Sequence, residues 1–204
     1  MKTPQLAAAV TCAAAAAGAV LALVPIVARA HEESGRAAGF VAGLAHPASG
    51  MDHVLAMIAV GVWGAVLGPP AIWVLPVAFP LVMAAGGLLG LLGLPVPGVE
   101  TGIAVSTIVL GAMVLAEIRP PLWLAAGIVA FFAIFHGHAH GRELPPGASA
   151  LLYSLGFVCA TGLLHAAGIL LGVAHRWPTG RRALRAAGGV IVLAGLFFLW
   201  RALE

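Results

Sequence analysis

Two histidine-rich runs hold most of the groups in this chain that could do chemistry. The first is His46-Pro47-Ala48-Ser49-Gly50-Met51-Asp52-His53, and the second is His136-Gly137-His138-Ala139-His140-Gly141-Arg142-Glu143. Asp52 is the one aspartate in the sequence. Imidazole combined with carboxylate suits divalent transition ions such as Ni2+, Zn2+ or Cu2+. Both runs sit at the edges of long apolar segments, where ionisable groups are costly and are usually retained for a function. Residue types and setting together point to a membrane protein that handles a metal ion.

Spacing sharpens this. His136 and His140 are four residues apart, which puts both imidazoles on one helical face, as in two-histidine metal sites. Glu143 follows almost two turns after His136 and offers an oxygen ligand. His138 points elsewhere if the helix persists, and Gly137 and Gly141 can loosen it. A histidine-rich interfacial loop wetted by water is the plainer alternative. In the first run, adjacent Asp52 and His53 point about 100° apart on a helix. One can bind an ion directly while the other faces a second helix or orients a ligand. Pro47 and Gly50 allow a turn that folds His46 back over the site. The plainer alternative is a helix start with Ser49 as N-cap and Asp52 in the first turn, which leaves both histidines unexplained.

Three further groups are candidates. Glu100 opens a span ahead of Ser106 and Thr107, although a helix-start carboxylate is favoured by the dipole alone. His165 lies inside an apolar segment beside a small-residue stripe of Thr161, Gly162, Gly168 and Gly172. It fits either a lower station on an ion path or a neutral histidine hydrogen-bonded across a helix contact. His31 becomes the N-terminus if a leader is removed. His175, in a basic loop, reads as solvated.

The elements that must position these groups are transmembrane helices. The 204 residues are 62% hydrophobic and 8% charged, against roughly a quarter charged in soluble domains. The net charge of +3 and the scatter of the basic residues give no nucleic-acid pattern. Residues 1–30 read as a cleavable signal peptide, with Lys2 before an alanine-rich core and Ala28-Arg29-Ala30 as the cleavage site. A first transmembrane helix over 6–28 is the alternative. Residues 31–204 then form a single all-α domain, a polytopic bundle of six transmembrane helices. The spans run approximately over 50–68, 71–94, 99–117, 120–138, 147–174 and 183–203, each near the ~20 residues a crossing needs. Residues 34–45 form a short surface helix or dip partly into the membrane. Pro76 and Pro80 kink the second span. Gly64/Gly68 and Gly86/Gly90 read as packing pairs. Cys12 falls in the leader and Cys159 in a span, so the mature chain forms no internal disulfide.

Arg176, Arg181, Arg182 and Arg185 make the loop 175–185 the densest basic cluster, which places it in the cytoplasm. Counting back through five spans puts the mature N-terminus in the periplasm, as signal cleavage also requires. Both histidine runs, Glu100 and His31 then reach the outer face of the inner membrane, although the runs lie some 90 residues apart.

The run from His46 through Asp52-His53 and Met57 to Gly61-Val-Trp63 resembles the signature of the HupE/UreJ family. So do Phe135-His136-Gly-His-Ala-His140-Gly-Arg-Glu143, Thr161-Gly-Leu-Leu-His165-Ala-Ala-Gly168 and the Glu100 helix start. The resemblance covers essentially the whole mature chain. It implies a nickel permease, with some relatives linked to cobalt, that carries Ni2+ into the cytoplasm for hydrogenase or urease maturation. It also implies that His46, Asp52, His53, His136, His140 and Glu143 handle the metal, and it ranks His138 lower. The His-x5-Asp-His element is similar to the His-x4-Asp-His of larger nickel–cobalt permeases, one residue longer here.

The leading expectation is therefore a permease and not an enzyme. Its partners are the lipid bilayer and a divalent ion, Ni2+ or Co2+, as transported substrate, and it needs no cofactor. Capture weakens as external pH falls below about 6.5, since neutral imidazole is the binding form. No nucleotide-binding loop occurs in the sequence, so facilitated diffusion and ion-coupled uptake both fit. The alternatives are an intramembrane zinc-dependent hydrolase acting on a lipid-like amide or ester, and a haem-binding membrane subunit.

Overall fold

The computed structural model describes residues 36–204, with side chains from residue 39 onward. The signal peptide expected over 1–30 and His31 lie outside the described residues. The apolar segments fold as helices, and no strand occurs among the described residues. In chain order they are α1 (Arg36–Ala45), a 3-10 turn (His46–Ser49), α2 (Met51–Leu67), α3 (Ala71–Leu91), α4 (Val99–Ala116), α5 (Leu122–Arg142), α6 (Ala150–Gly172), a second 3-10 turn (Val173–Arg176) and α7 (Pro178–Leu203). Glycine and proline set the breaks. Gly68 and Gly98 take positive φ at 80° and 65°, a conformation that costs glycine nothing. Helix α3 runs on through Pro76 and Pro80, with neighbouring helices packed along it.

Five helical stretches are long and apolar enough to cross a membrane: α3, α4, α5, Ala150–Arg176 and α7. The expected sixth, α2, has 17 residues, roughly 26 Å at about 1.5 Å per residue, short of a ~30 Å hydrocarbon core. It completes a crossing only together with Gly39–Ser49, from which it is bent by 86°. The bent pair is either a broken span or a re-entrant loop, and the His46–Ser49 turn lies at its corner. Pro47 and Gly50 explain the corner. Proline suits the first position of a helical turn, where its missing N–H costs nothing, and Gly50 is extended at φ −114°, ψ 113°.

Helix α2 is hydrophobic on all sides and sits in the middle, with Ala56, Met57, Val60 and Trp63 fully buried, as expected of a helix enclosed by others. Around it α3 packs along α5, α4 along α7, and both α1 and α2 along α6. Trp73, Leu81, Trp123, Leu193 and Trp200 point outward and are exposed. So much apolar surface marks a membrane-facing exterior, and the protein is a multi-pass membrane protein.

Hydrogen bonds tie the end of the bundle away from the histidines. The Trp63 indole donates to the Ile118 carbonyl at 2.9 Å. Arg181 donates to both oxygens of Glu117 at 2.6 and 2.8 Å and holds that carboxyl below its ordinary value. Trp63→Phe leaves the Ile118 carbonyl unpaired and is expected to lower stability by about 1–2 kcal/mol. Thermal unfolding in detergent would show it; an unchanged midpoint would make the bond immaterial.

Candidate metal-binding site

The two histidine runs meet. The corner between α1 and α2 brings His46 beside the C-terminal end of α5, where its Nε2 donates to Glu143 Oε2 at 2.8 Å, across 97 residues of sequence. The Ser49 hydroxyl donates back to the His46 carbonyl at 2.6 Å and closes the turn. The cap of α2 is Gly50, with no side-chain hydrogen bond, so the reading of Ser49 as N-cap is corrected. Its hydroxyl finds a local carbonyl instead, a competition open to any serine at a turn.

Helix α5 continues unbroken to Arg142. Gly137 and Gly141 therefore do not loosen it; they let it press against α3. A Cβ at Gly137 would fall on the Met83 carbonyl oxygen, and one at Gly141 on that of Gly87. With the glycines toward α3, His136 and His140 turn toward α2. The His140 ring lies 4.9 Å from that of His46 and 4.4 Å from that of His53, and the His53 ring 4.7 Å from that of His136. His140 Nδ1 is 3.4 Å from Glu143 Oε2. Ligand atoms of His46, His140 and Glu143 all come within 4.8 Å of one another, two nitrogens and one oxygen that suit a first-row divalent ion.

The imidazoles form a row that runs inward. Side-chain exposure falls from 53% at Glu143 to 22% at His46 and 8% at His140, and His136 is fully buried. Beyond it the Phe79 ring stands 5.4 Å from both His136 and His165. Two oxygens orient the inner rings. Asp52 Oδ1 accepts from His53 Nδ1 at 2.8 Å, and Ser106 Oγ lies 2.8 Å from His136 Nε2. Asp52 thus stands behind His53, the orienting role that was one of its two readings. Thr107 donates to the Asp52 carbonyl at 3.3 Å and ties α4 to the start of α2. A cavity of ≈ 90 Å³ lined by Met83, Gly137, His140, Tyr153 and Phe157 opens beside His140.

The His140 imidazole, and then that of His46, hold the Glu143 carboxyl well below the usual carboxylate range. A depressed carboxylate stabilises the fold above its unfolded value, and that contribution is lost as pH falls through the depressed one. The tie between α5 and the corner therefore outlasts ordinary carboxylate titration.

The structure does not gather every expected residue. His138 is buried on another side of α5, its Nε2 donating to the Leu94 carbonyl at 2.8 Å; two residues turn it about 200° from His136. Glu100 is exposed in the first turn of α4, with no hydrogen bond to the row among the described residues. His165 is buried with neither ring nitrogen hydrogen-bonded among the described residues. Its ring lies next to the backbone of Pro76 in α3, a contact across helices. Gly168 does pack on α2, but Gly162 and Gly68 have open space, which takes both out of the packing features. His175 is half-buried and donates to the Gly172 carbonyl at 2.8 Å. Ser106 and Phe79 were missed as site residues. Only a polar side chain within an apolar span signalled Ser106, and nothing in the sequence distinguishes Phe79.

Residues 19–198 match the family described as HupE / UreJ protein. Protein HupE of Rhizobium leguminosarum bv. viciae is 47% identical over 176 residues, covering 86% of this chain and 92% of that protein. No solved structure matches. The hydrolase alternative finds no support in these matches.

Proposed function

The chain belongs to the HupE/UreJ family, a transporter-type family generally associated with nickel and cobalt, and we propose that it is a permease that moves Ni2+, or Co2+, across the inner membrane into the cytoplasm for metalloenzyme maturation. The observation that carries this reading is the convergence of His46, His140 and Glu143, from elements 97 residues apart, at the outer end of a row of imidazoles that leads into the bundle. Two neutral nitrogens and a carboxylate hold a divalent ion while offsetting part of its charge.

The direction follows from charge. Helix α6 begins beside the site and runs into the 3-10 turn that holds Arg176, while Arg181, Arg182 and Arg185, expected in a loop, lie in the first turns of α7, so the arginines lie at the opposite end of the bundle. Basic loops stay in the cytoplasm, which turns the histidine end toward the periplasm. Hydrogenase and urease are the nickel enzymes such an import would serve.

Uptake of radioactive 63Ni2+ and 57Co2+ into cells that lack their own nickel permease tests the proposal. Cells making the protein are expected to accumulate one or both ions above the empty vector. His46→Ala should cut the initial rate on the order of tenfold, the scale on which even residues that orient metal ligands act. Membrane-inserted protein that accumulates neither ion would sink the reading.

A further inference from the structure

Helices α6 and α7 are joined by a single 3-10 turn, yet they do not pack along one another, although short connections usually make antiparallel neighbours. Glycines draw them apart. On α6, a Cβ at Gly168 would fall on the Ile58 carbonyl oxygen of α2, and one at Gly172 would meet Ala65 and Val62. On α7, Gly188 presses on the backbone of α4 at Leu115, and Gly195 presses on Ile108. Each helix is held close to a different partner. A groove of ≈ 450 Å³ is left between them, within the ~300–1,000 Å³ of ligand sites. Val62 of α2 and Val114 of α4 are buried in its depth, while Leu170 of α6 and Ala183 and Ala187 of α7 are exposed along its open side.

The groove is polar at one end only. Among its lining side chains, those of Trp177 and Thr179 alone carry a nitrogen or oxygen, and both stand where α7 begins. Tryptophan favours headgroup level in a membrane. Arginines cluster at the same end. Arg181 is engaged by Glu117 and Arg185 by the Leu115 carbonyl. Arg176, next to Trp177, and Arg182, next to Ala183, are exposed and make no hydrogen bond or ion pair among the described residues. From Thr179 to Ile191 the lining follows α7 for roughly 18 Å at ~1.5 Å per residue, close to half of a ~30 Å hydrocarbon core.

We propose that this groove holds one acyl chain of an anionic phospholipid, with the phosphate against Arg176 and Arg182. Charge selects the occupant. In a bilayer an apolar slot gains little from one tail over another, because lipid is as apolar as leucine. Two unpaired guanidiniums at its polar end favour a headgroup with net negative charge over a zwitterionic one. The groove lies at the other end of the bundle from the histidines, so the inference stands apart from the transport reading.

Native mass spectrometry of the full chain, released from detergent with phosphatidylglycerol or phosphatidylcholine of the same chain length, tests this. Wild type is expected to retain one phosphatidylglycerol, on the order of tenfold more tightly than phosphatidylcholine. Arg176→Gln/Arg182→Gln, at two exposed side chains, should bring the two lipids to within about twofold. Ala187→Trp fills the groove from its open side and should abolish retention of that phosphatidylglycerol. Equal retention of both lipids by wild type overturns the proposal, as does a preference that survives the arginine double variant. Retention unchanged by Ala187→Trp also overturns it, and a chain dimer lost in that variant assigns the groove to a second copy instead. In the unmutated protein, phosphatidylglycerol with a photoreactive diazirine on its acyl chain should label residues 58–62 or 183–191. Labelling confined to other helices would overturn the assignment whatever becomes of the variants.

Discussion

His140→Ala is expected to reduce 63Ni2+ uptake about a hundredfold or more, roughly 2.8 kcal/mol at 1.4 kcal/mol per tenfold. No other side chain touches as much of the row. Its ring lies against those of His46, His53 and Phe157, with centroids 4.9, 4.4 and 4.2 Å away, and its Nδ1 faces Glu143. Alanine there removes a nitrogen from the set formed with His46 and Glu143 and separates His46 from the rings below it. His138→Ala, two residues away on the same helix, is the control. Its imidazole donates to the Leu94 carbonyl, so losing it is expected to lower stability by about 1–3 kcal/mol while uptake per folded molecule stays within about threefold. Uptake normalised to membrane-inserted protein, with thermal unfolding of each variant, separates the two. Equal losses of normalised uptake would mean that the row is not the route.

That contrast was half legible in the sequence. The spacing of His136 and His140 fixes them on one face and turns His138 away, because 100° per residue is a property of any helix. Counting spans brought the two histidine runs to one end of the bundle, and the hydrogen bond between His46 and Glu143 is that convergence at atomic scale. The partner of each imidazole could not be read. Ser106 orients His136 because α4 lies beside α5 at that height, and the height depends on loop lengths and packing. Glu100 drew notice by its charge, yet it is the hydroxyl six residues later that reaches the row.

The first span shows a different limit. Composition marks residues 50–68 as apolar and long enough, and Pro47 and Gly50 mark a turn, but neither reveals an 86° corner. Local sequence permits the turn, and its angle is set by α6, against which α1 and α2 both pack. The corner matters for the site. With His46 on a straight extension of α2, it would stand above the bundle and away from Glu143.

Gly137→Val should break the fold where Gly127→Ala, ten residues earlier on the same helix, should leave it intact. At Gly137 a Cβ would fall on the Met83 carbonyl oxygen and stand 2.8 Å from the Gly87 nitrogen, and in return Gly86 and Gly90 press on the carbonyls of Ile134 and His138. Small residues on both helices let backbones touch, a main source of helix association in lipid. Overpacking usually costs about 1–3 kcal/mol when side chains can shift. Backbone cannot shift aside, so valine is expected to exceed that range and force α3 from α5. The same separation would carry His136 and His140 away from His53, because the glycines and the histidines share one turn of helix. Gly127 has nothing within 4 Å of its would-be Cβ, and alanine there should gain about 0.8–1 kcal/mol of helix propensity. Thermal unfolding and the yield of monodisperse protein measure both. If Gly137→Val melts with wild type, the glycines do not hold α5 in place, and the position of the imidazoles must depend on something else.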